Sequence, residues 1–263
     1  MEALVLMYHQ IVPDGAPEGW VPAPLADPRY GVTRREFARQ MAHLREADYR
    51  ILPLDDLVAP RRPEPSAPTD GRPAVVVTFD DGYETDLTLA VPILAHLGIP
   101  ATFFVATGHL GSPGMLSEAM AAALAARPLF RLGGHGESHR FLSELPESAC
   151  RGELARSLGR VREISGQEEA AMSAPGGRTS PRVAALARET GFRALATSGP
   201  GLYAQGTDPF SIPRLPVMRH HAIGDFAALL DPRSRVHRTD RWVRRAKQAV
   251  RSALSILSPA KGG

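Results

Sequence analysis

The chain has 263 residues, enough for one α/β barrel or two small domains and for a sizeable buried core. Its 43% apolar and 22% charged residues are those of an ordinary soluble globular protein, and a formal charge of +3 without a basic stripe interleaved with aromatics argues against nucleic acid as the main partner. A single cysteine, Cys150, excludes an internal disulfide and suits a reducing compartment; in a helical stretch with no histidine beside it, it reads as a buried neutral thiol rather than a nucleophile.

Ala3–Met7 (ALVLM) reads as a first strand, ended by Tyr8-His9. Residues 13–30 are rich in proline and glycine and poor in apolar side chains, the composition of a loop long enough to line a site. Thr33-x-x-Glu36 is a capping box, and behind it Phe37, Met41 and Leu44 recur at helical spacing, which predicts an amphipathic helix over 34–47. Tyr49–Leu52 is expected to be a strand. Pro60–Pro73 is a proline-rich surface connection inside one domain, because the alternation of strands and helices resumes directly after it.

Ala74–Phe79 (AVVVTF) is a short apolar run with the signature of a strand buried on both faces, as in a parallel sheet, and Asp80-Asp81-Gly82 follows at its end. Leu87–Leu97 is expected to be helical and stopped by Gly98, Ala101–Ala106 a second buried strand, and Met115–Ala126 an alanine-rich helix. Phe130–Leu132 leads into Gly133-Gly134-His135-Gly136-Glu137-Ser138-His139. Glu147–Ile164 carries Leu154, Leu158 and Val161 at helical spacing. Ala170–Ala174 is a short strand before Pro175-Gly176-Gly177; Ser180-Pro181 opens a helix to Thr190, and Phe192–Ala196 is a strand. Ile212–Met218 reads as a strand broken by Pro213 and Pro216, and Asp225–Leu230 as a last short helix. About six or seven alternations of strand and helix argue for a parallel α/β architecture.

Carboxylates at the C-terminal end of a buried strand stand where α/β folds place their chemistry. Two adjacent acids repel unless a cation or a proton offsets them, which makes Asp80 and Asp81 a candidate base and metal ligand. Taken alone, Asp-Asp-Gly is equally well a plain turn. The second cluster shifts the balance. His135 and His139 can share one face of a helical turn, and two imidazoles with one carboxylate make a ligand set that leaves positions open for water, the pattern of a catalytic metal site.

The C-terminal stretch 235–263 differs from the rest. Trp242, Val243, Ala246, Val250, Leu254 and Leu257 lie on one helical face, with Arg241, Arg244, Arg245, Lys247 and Arg251 alongside. A basic amphipathic helix of this kind lies on an anionic membrane surface, or packs its apolar face on the barrel or on a second subunit. The short apolar start lacks a charged region before it, so no secretory signal is expected, and no window approaches the ~18 apolar residues of a bilayer span. The expectation is a cytoplasmic protein, peripheral to the inner membrane where the tail helix meets lipid.

Val76–Gly82 (VVTFDDG), His135–His139 (HGESH) with Leu142, Pro100–Val105 (PATFFV) and the opening Leu6-Met7-Tyr8-His9 together resemble the polysaccharide deacetylases, the family-four carbohydrate esterases with a NodB-homology domain. The likeness runs from Ala3 to Leu230. It implies a distorted, incomplete (β/α) barrel of about seven parallel strands over residues 1–234, followed by the tail 235–263. It also implies metal-dependent removal of acetyl groups from N-acetylated amino sugars. By position, Asp80 matches the family's general base, and Asp81, His135 and His139 match its three metal ligands. Pro175 and Gly176 stand where the family has a Pro-Tyr pair whose backbone N–H helps bind the oxyanion. For the acid that protonates the leaving amine, His9 is the better match and His220 the second. The implied cofactor is one divalent ion, Zn2+ first, with Co2+, Ni2+ and Mn2+ also suited to an Asp-His-His set. The implied partner is an N-acetylated saccharide, with a lipid-linked sugar as a further expectation from the tail.

Several positions depart from the family pattern. Gly136 replaces a serine or threonine whose hydroxyl ties down the histidine loop, so a looser loop is expected. No tyrosine follows Pro175 and no arginine precedes it to orient the base, which leaves Arg178 as either an improvised partner or a solvent-facing residue. Two other readings stay open. A glycoside hydrolase would use Asp80 and Asp81 as an acid pair, but it needs carboxyls ~5–9 Å apart across a sugar and leaves the histidines without a role. A catalytically degenerate barrel that binds sugar or protein draws support from the eroded Pro-Tyr segment.

Overall fold

A computed structural model of the chain describes residues 1–17, 20, 23–59, 72–199 and 201–234. The expected tail helix over 235–263 and most of the proline-rich connection lie outside the described residues. In chain order the strands are β1 (Glu2–Tyr8), β2 (Ile11–Val12), β3 (Val32–Thr33), β4 (Ala74–Phe79), β5 (Ala101–Val105), β6 (Phe130–Gly134), β7 (Ala171–Ser173), β8 (Ala194–Ala196), β9 (Tyr203–Ala204) and β10 (Leu215–Pro216). The helices are α1 (Arg34–Glu46), α2 (Leu54–Val58), α3 (Val91–His96), α4 (Glu118–Ala125), α5 (Glu147–Ser165), α6 (Pro181–Thr190) and α7 (Ile223–Leu230).

The main sheet runs β10-β1-β4-β5-β6-β7-β8 with every neighbour parallel, and β9 pairs antiparallel with the start of β1. It curls through 287° into the expected incomplete (β/α) barrel. One irregular segment brings its edges together. Thr197 N–H donates to Ile212 O at 2.9 Å and Ile212 N–H to Leu195 O at 3.0 Å, whereas Val217 N–H donates to Met7 O at 2.9 Å. The segment thus leaves β8 and joins β1, and Pro213 and Pro216 fit it because they have no N–H to give to a ladder.

Alternation along the strands sorts the core into two layers. Val75, Val77 and Phe79 of β4 pack with Phe37, Met41 and Leu44 of α1, Leu94 of α3 and Leu154 of α5. Ala74 and Val76 instead join Ala3, Val5, Ala171, Ala194, Ala196 and Ile212, mostly small residues, with the rings of Phe104 and Tyr203 among them. Leu54 and Leu57 of α2 complete this inner cluster, each burial contributing roughly 1.5–3 kcal/mol.

Three elements differ from expectation. Tyr49–Leu52 makes only a parallel bridge, Ile51 with Val75, because Pro53 follows and caps α2, a helix too short to show a period in the sequence. The helix expected over 87–97 opens as a π turn, Asp86–Ala90, in which Val91 N–H reaches Asp86 O. Pro92 has no N–H for the preceding turn, and the wider turn makes room for its ring. α4 starts at Glu118 behind a Ser117 cap, since Met115 is held in a bridge to Tyr83. Cys150 is a free, buried thiol on α5, as its context implied.

Candidate active site and metal centre

The parallel strands point their C-terminal ends to one mouth, where the residues just past β1, β4, β6 and β7 meet. Backbone bonds set the levels: Asp80 N–H donates to Tyr8 O at 3.0 Å, Ala106 N–H to Asp81 O at 3.1 Å, and His135 N–H to Val105 O at 2.8 Å. Asp80 continues the inward series of Ala74, Val76 and Thr78. Asp81 has a φ of +78°, which turns the chain there at a cost of about 1–2 kcal/mol for a residue with a Cβ. Gly82 follows at φ +88°, and a Cβ on it would stand 2.8 Å from Val105 Cγ1. This turn admits only glycine at its third position.

Asp81, His135 and His139 come together as a ligand set. His135 Nε2 lies 3.3 Å and His139 Nε2 3.2 Å from Asp81 Oδ1, and the three ligand atoms all lie within 4.8 Å of one another. His135 Nδ1 is 2.9 Å from Ser173 O. A carbonyl only accepts, so Nδ1 carries a proton, and a neutral ring in this tautomer has its lone pair at Nε2, facing Asp81. Asp81 Oδ2 accepts from the Tyr83 hydroxyl at 2.7 Å, while its Oδ1 is buried with no hydrogen-bond partner among the described residues. A carboxylate oxygen facing an imidazole lone pair calls for a positive charge between them, and the Asp-His-His donor set fits one divalent ion with positions left open.

Burial would raise the Asp81 carboxyl, but positive charge at the His135 and His139 nitrogens facing it outweighs that and holds it well below its ordinary value, the same demand for a cation at this point. Burial, then the charge of Asp81, push the Tyr83 phenol well above its own, which keeps it a donor. The two histidines do not share a helical turn. Beyond β6 the chain is a loop, bent by left-handed conformations at Gly136 (φ +72°) and His139 (φ +59°). The loop is not loose either. Thr107 N–H donates to Gly136 O at 3.1 Å, Gly108 N–H donates to Glu137 O at 2.8 Å, and Glu153 accepts from Glu137 and Ser138 on its other side.

Asp80 is gripped by Arg214, which the sequence reading did not single out. Nη1 reaches Oδ1 and Nη2 reaches Oδ2, both at 2.7 Å, and the Ser173 hydroxyl donates to Oδ2 at 3.1 Å. The guanidinium also donates to Ser173 Oγ at 2.6 Å, Thr78 Oγ1 at 3.2 Å and Thr197 O at 3.0 Å, and the side chain is fully buried. Burial would raise the Asp80 carboxyl; Arg214 and then His135 outweigh it and keep it below its ordinary value. Arg178, the expected candidate partner, instead pairs with Glu144 at 2.6 Å and lies 4.2 Å over the Phe141 ring. An arginine inside the apolar run Ile212–Val217 was the signal available, since a buried guanidinium demands an acid.

His9 leaves β1 beside Asp80, its ring 4.3 Å from that of Tyr30, with Nδ1 buried and without a partner among the described residues. Burial lowers its pKa more than the nearby Asp81 and Asp80 raise it. His220 is exposed, its ring 4.4 Å from His221, and no described contact joins it to either aspartate. Pro175 and Gly176 form a tight turn past β7, beside the histidine loop. A Cβ on Gly176 would stand 2.5 Å from Phe141 Cε1, so an aromatic ring from another segment fills the space beside this glycine.

Residues 67–195 match the family model for polysaccharide deacetylases. YxkH of Bacillus subtilis (strain 168), assigned by name to the polysaccharide deacetylases, is 24% identical over 230 residues, covering 86% of this chain and 75% of its own. Among solved structures, IcaB from Ammonifex degensii is similar with a TM-score of 0.71 and 26% identity over 87% of this chain and 96% of its own. The Streptococcus pyogenes deacetylase PplD, in complex with acetate, shares the fold with a TM-score of 0.74 and 20% identity over 88% of this chain and 99% of its own. Residues 67–195 of the chain thus carry a polysaccharide deacetylase domain, the domain of a family of hydrolases acting on carbon–nitrogen bonds.

Proposed function

We propose that this hydrolase removes the N-acetyl group of an amino sugar in a glycan or glycan precursor, with Asp81, His135 and His139 holding a divalent ion, Zn2+ first. Such an ion lowers the pKa of a water toward ~7 and polarises an acyl oxygen. Asp80, ionised and aimed by the two Arg214 bonds, accepts the proton of the attacking water. The Gly176 backbone N–H donates to the oxygen that gains charge, a contribution of about 3 kcal/mol per donor in other enzymes; Pro175 has no N–H, and that of Gly177 is bonded to Ala174 O at 2.8 Å. His9 passes a proton to the leaving nitrogen; burial lowers its pKa despite Asp81 and Asp80 beside it, which makes the protonated ring a readier donor.

The observation that carries this reading is the orphaned Asp81 Oδ1, buried and faced by two imidazole Nε2 atoms at 3.3 and 3.2 Å. Acetate release over a panel of acetylated amino sugars, with and without chelator, tests it. Asp80→Asn should lose on the order of 10²–10⁴-fold. Equal rates in the variant and the parent would favour a barrel that binds without turnover.

For the acceptor, the basic amphipathic pattern of residues 235–263 supports a lipid-linked amino sugar, reached by a chain peripheral to an anionic membrane. Unchanged selection between lipid-linked and lipid-free substrates after deletion of 235–263 would remove that support.

A further inference from the structure

Gly136 and His139 both hold left-handed conformations, and for His139 this costs about 1–2 kcal/mol. Something outside the loop must offset that cost. The backbone N–H groups of Thr107 and Gly108 hold one side through the Gly136 and Glu137 carbonyls, and a single carboxylate holds the other. Glu153 lies on the inward face of α5, among Cys150, Leu154 and Ser157, and is 5% exposed. Its Oε2 accepts Glu137 N–H at 2.8 Å and Ser138 N–H at 2.9 Å, and its Oε1 accepts the Ser138 hydroxyl at 2.5 Å. Two successive N–H groups on one anionic oxygen form a cradle, and such charge-assisted bonds are stronger than neutral ones. A Cβ on Gly136 would stand 3.4 Å from Glu153 Oε2, so the carboxylate lies directly against the bend between the two histidines.

We propose that Glu153 is a positioning residue that sets the metal affinity of the Asp81–His135–His139 site by holding the backbone just before His139. This rests on the metal-centre reading above. Glu153 has no described contact with the three ligands themselves, so it acts through the loop. The tie that the family places at position 136 is here made between Ser138 and Glu153.

The test is Co2+ binding by the full chain, in competition with a chelator and read by visible absorption, for the parent, Glu153→Leu, Glu153→Gln and Ser138→Ala. Glu153→Leu should lose about 10–100-fold in affinity, the usual cost of removing a group that orients metal ligands. Glu153→Gln keeps an oxygen for both N–H groups and should stay within about 3-fold of the parent. Where Glu153→Leu does not fold, Ser138→Ala, which deletes only the hydroxyl bond, should itself lose on the order of 10-fold. A lower melting temperature of the metal-free protein with unchanged Co2+ affinity in the folded variants would make Glu153 merely structural and overturn the proposal. A parent that binds no Co2+ would overturn the metal centre and the clamp together; a binding parent with variants of equal affinity would overturn the clamp alone.

Discussion

Replacing Arg214 with methionine probes how Asp80, the proposed base, is held. The change keeps a long side chain in the barrel and removes two buried bonds of 2.7 Å each to Asp80. Taking away one partner of a buried pair costs about 3–5 kcal/mol while the other stays charged. Asp80 escapes part of that cost by binding a proton. In the parent, the upward pull of burial loses to Arg214 and His135, so the folded carboxyl lies below its ordinary value. Its contribution to stability is therefore present above the unfolded value, ~3.9, and is lost as pH falls through the folded one. Without Arg214 the order reverses, and the variant loses stability as pH rises through a raised carboxyl value.

Both consequences are measurable between pH 4 and pH 9. The acid limb of kcat/KM for acetate release should move up by ~1–3 pH units, the size of the effect of an adjacent opposite charge. The melting deficit against the parent should widen with pH and reach roughly 6–20 °C at the alkaline end, at about 2–4 °C per kcal/mol for a chain of this size. An acid limb that coincides with the parent's, with an equal melting deficit at pH 5 and pH 8, would refute the reasoning.

Three further outcomes follow from single contacts. Tyr83→Phe removes the 2.7 Å bond to Asp81 Oδ2 and should weaken metal binding by about 10-fold in a chelator competition, with the fold kept. Gly82→Ala places a Cβ 2.8 Å from Val105 Cγ1 at φ +88°, and should cost at least about 1–2 kcal/mol in denaturant unfolding. His9→Ala should lower kcat on the order of 10²–10⁴-fold while bound metal, measured by elemental analysis, stays at the parent's level.

The parallel barrel was legible because its strands are buried on both faces. AVVVTF and ATFFV admit few other readings, and the acids and histidines stand directly at strand ends, where a local pattern suffices. What escaped depends on distance along the chain or on shortness. Arg214 meets Asp80 across 134 residues, from a segment whose prolines marked it only as a broken strand. Those same prolines suit it to close the barrel edge. Glu153 lies 16 residues from Glu137 and looked like one more charge on a helix, although its place in the Cys150–Leu154–Ser157 stripe set it facing inward. α2 has five residues, fewer than two helical turns, and its two leucines show no period until the inner cluster of the barrel is seen to need them. The expected helical turn at His135–His139 failed for a conformational reason: two left-handed residues in five close a loop instead.

The central claim is that one cation binds among Asp81, His135 and His139 at the mouth of the barrel. Anomalous X-ray scattering from crystals soaked in Zn2+, collected on both sides of the zinc edge, tests it most directly. A single strong peak is expected ~2.0–2.2 Å from Asp81 Oδ1, His135 Nε2 and His139 Nε2. Density for all three side chains with no anomalous peak between them, at a Zn2+ concentration that restores acetate release, would contradict it.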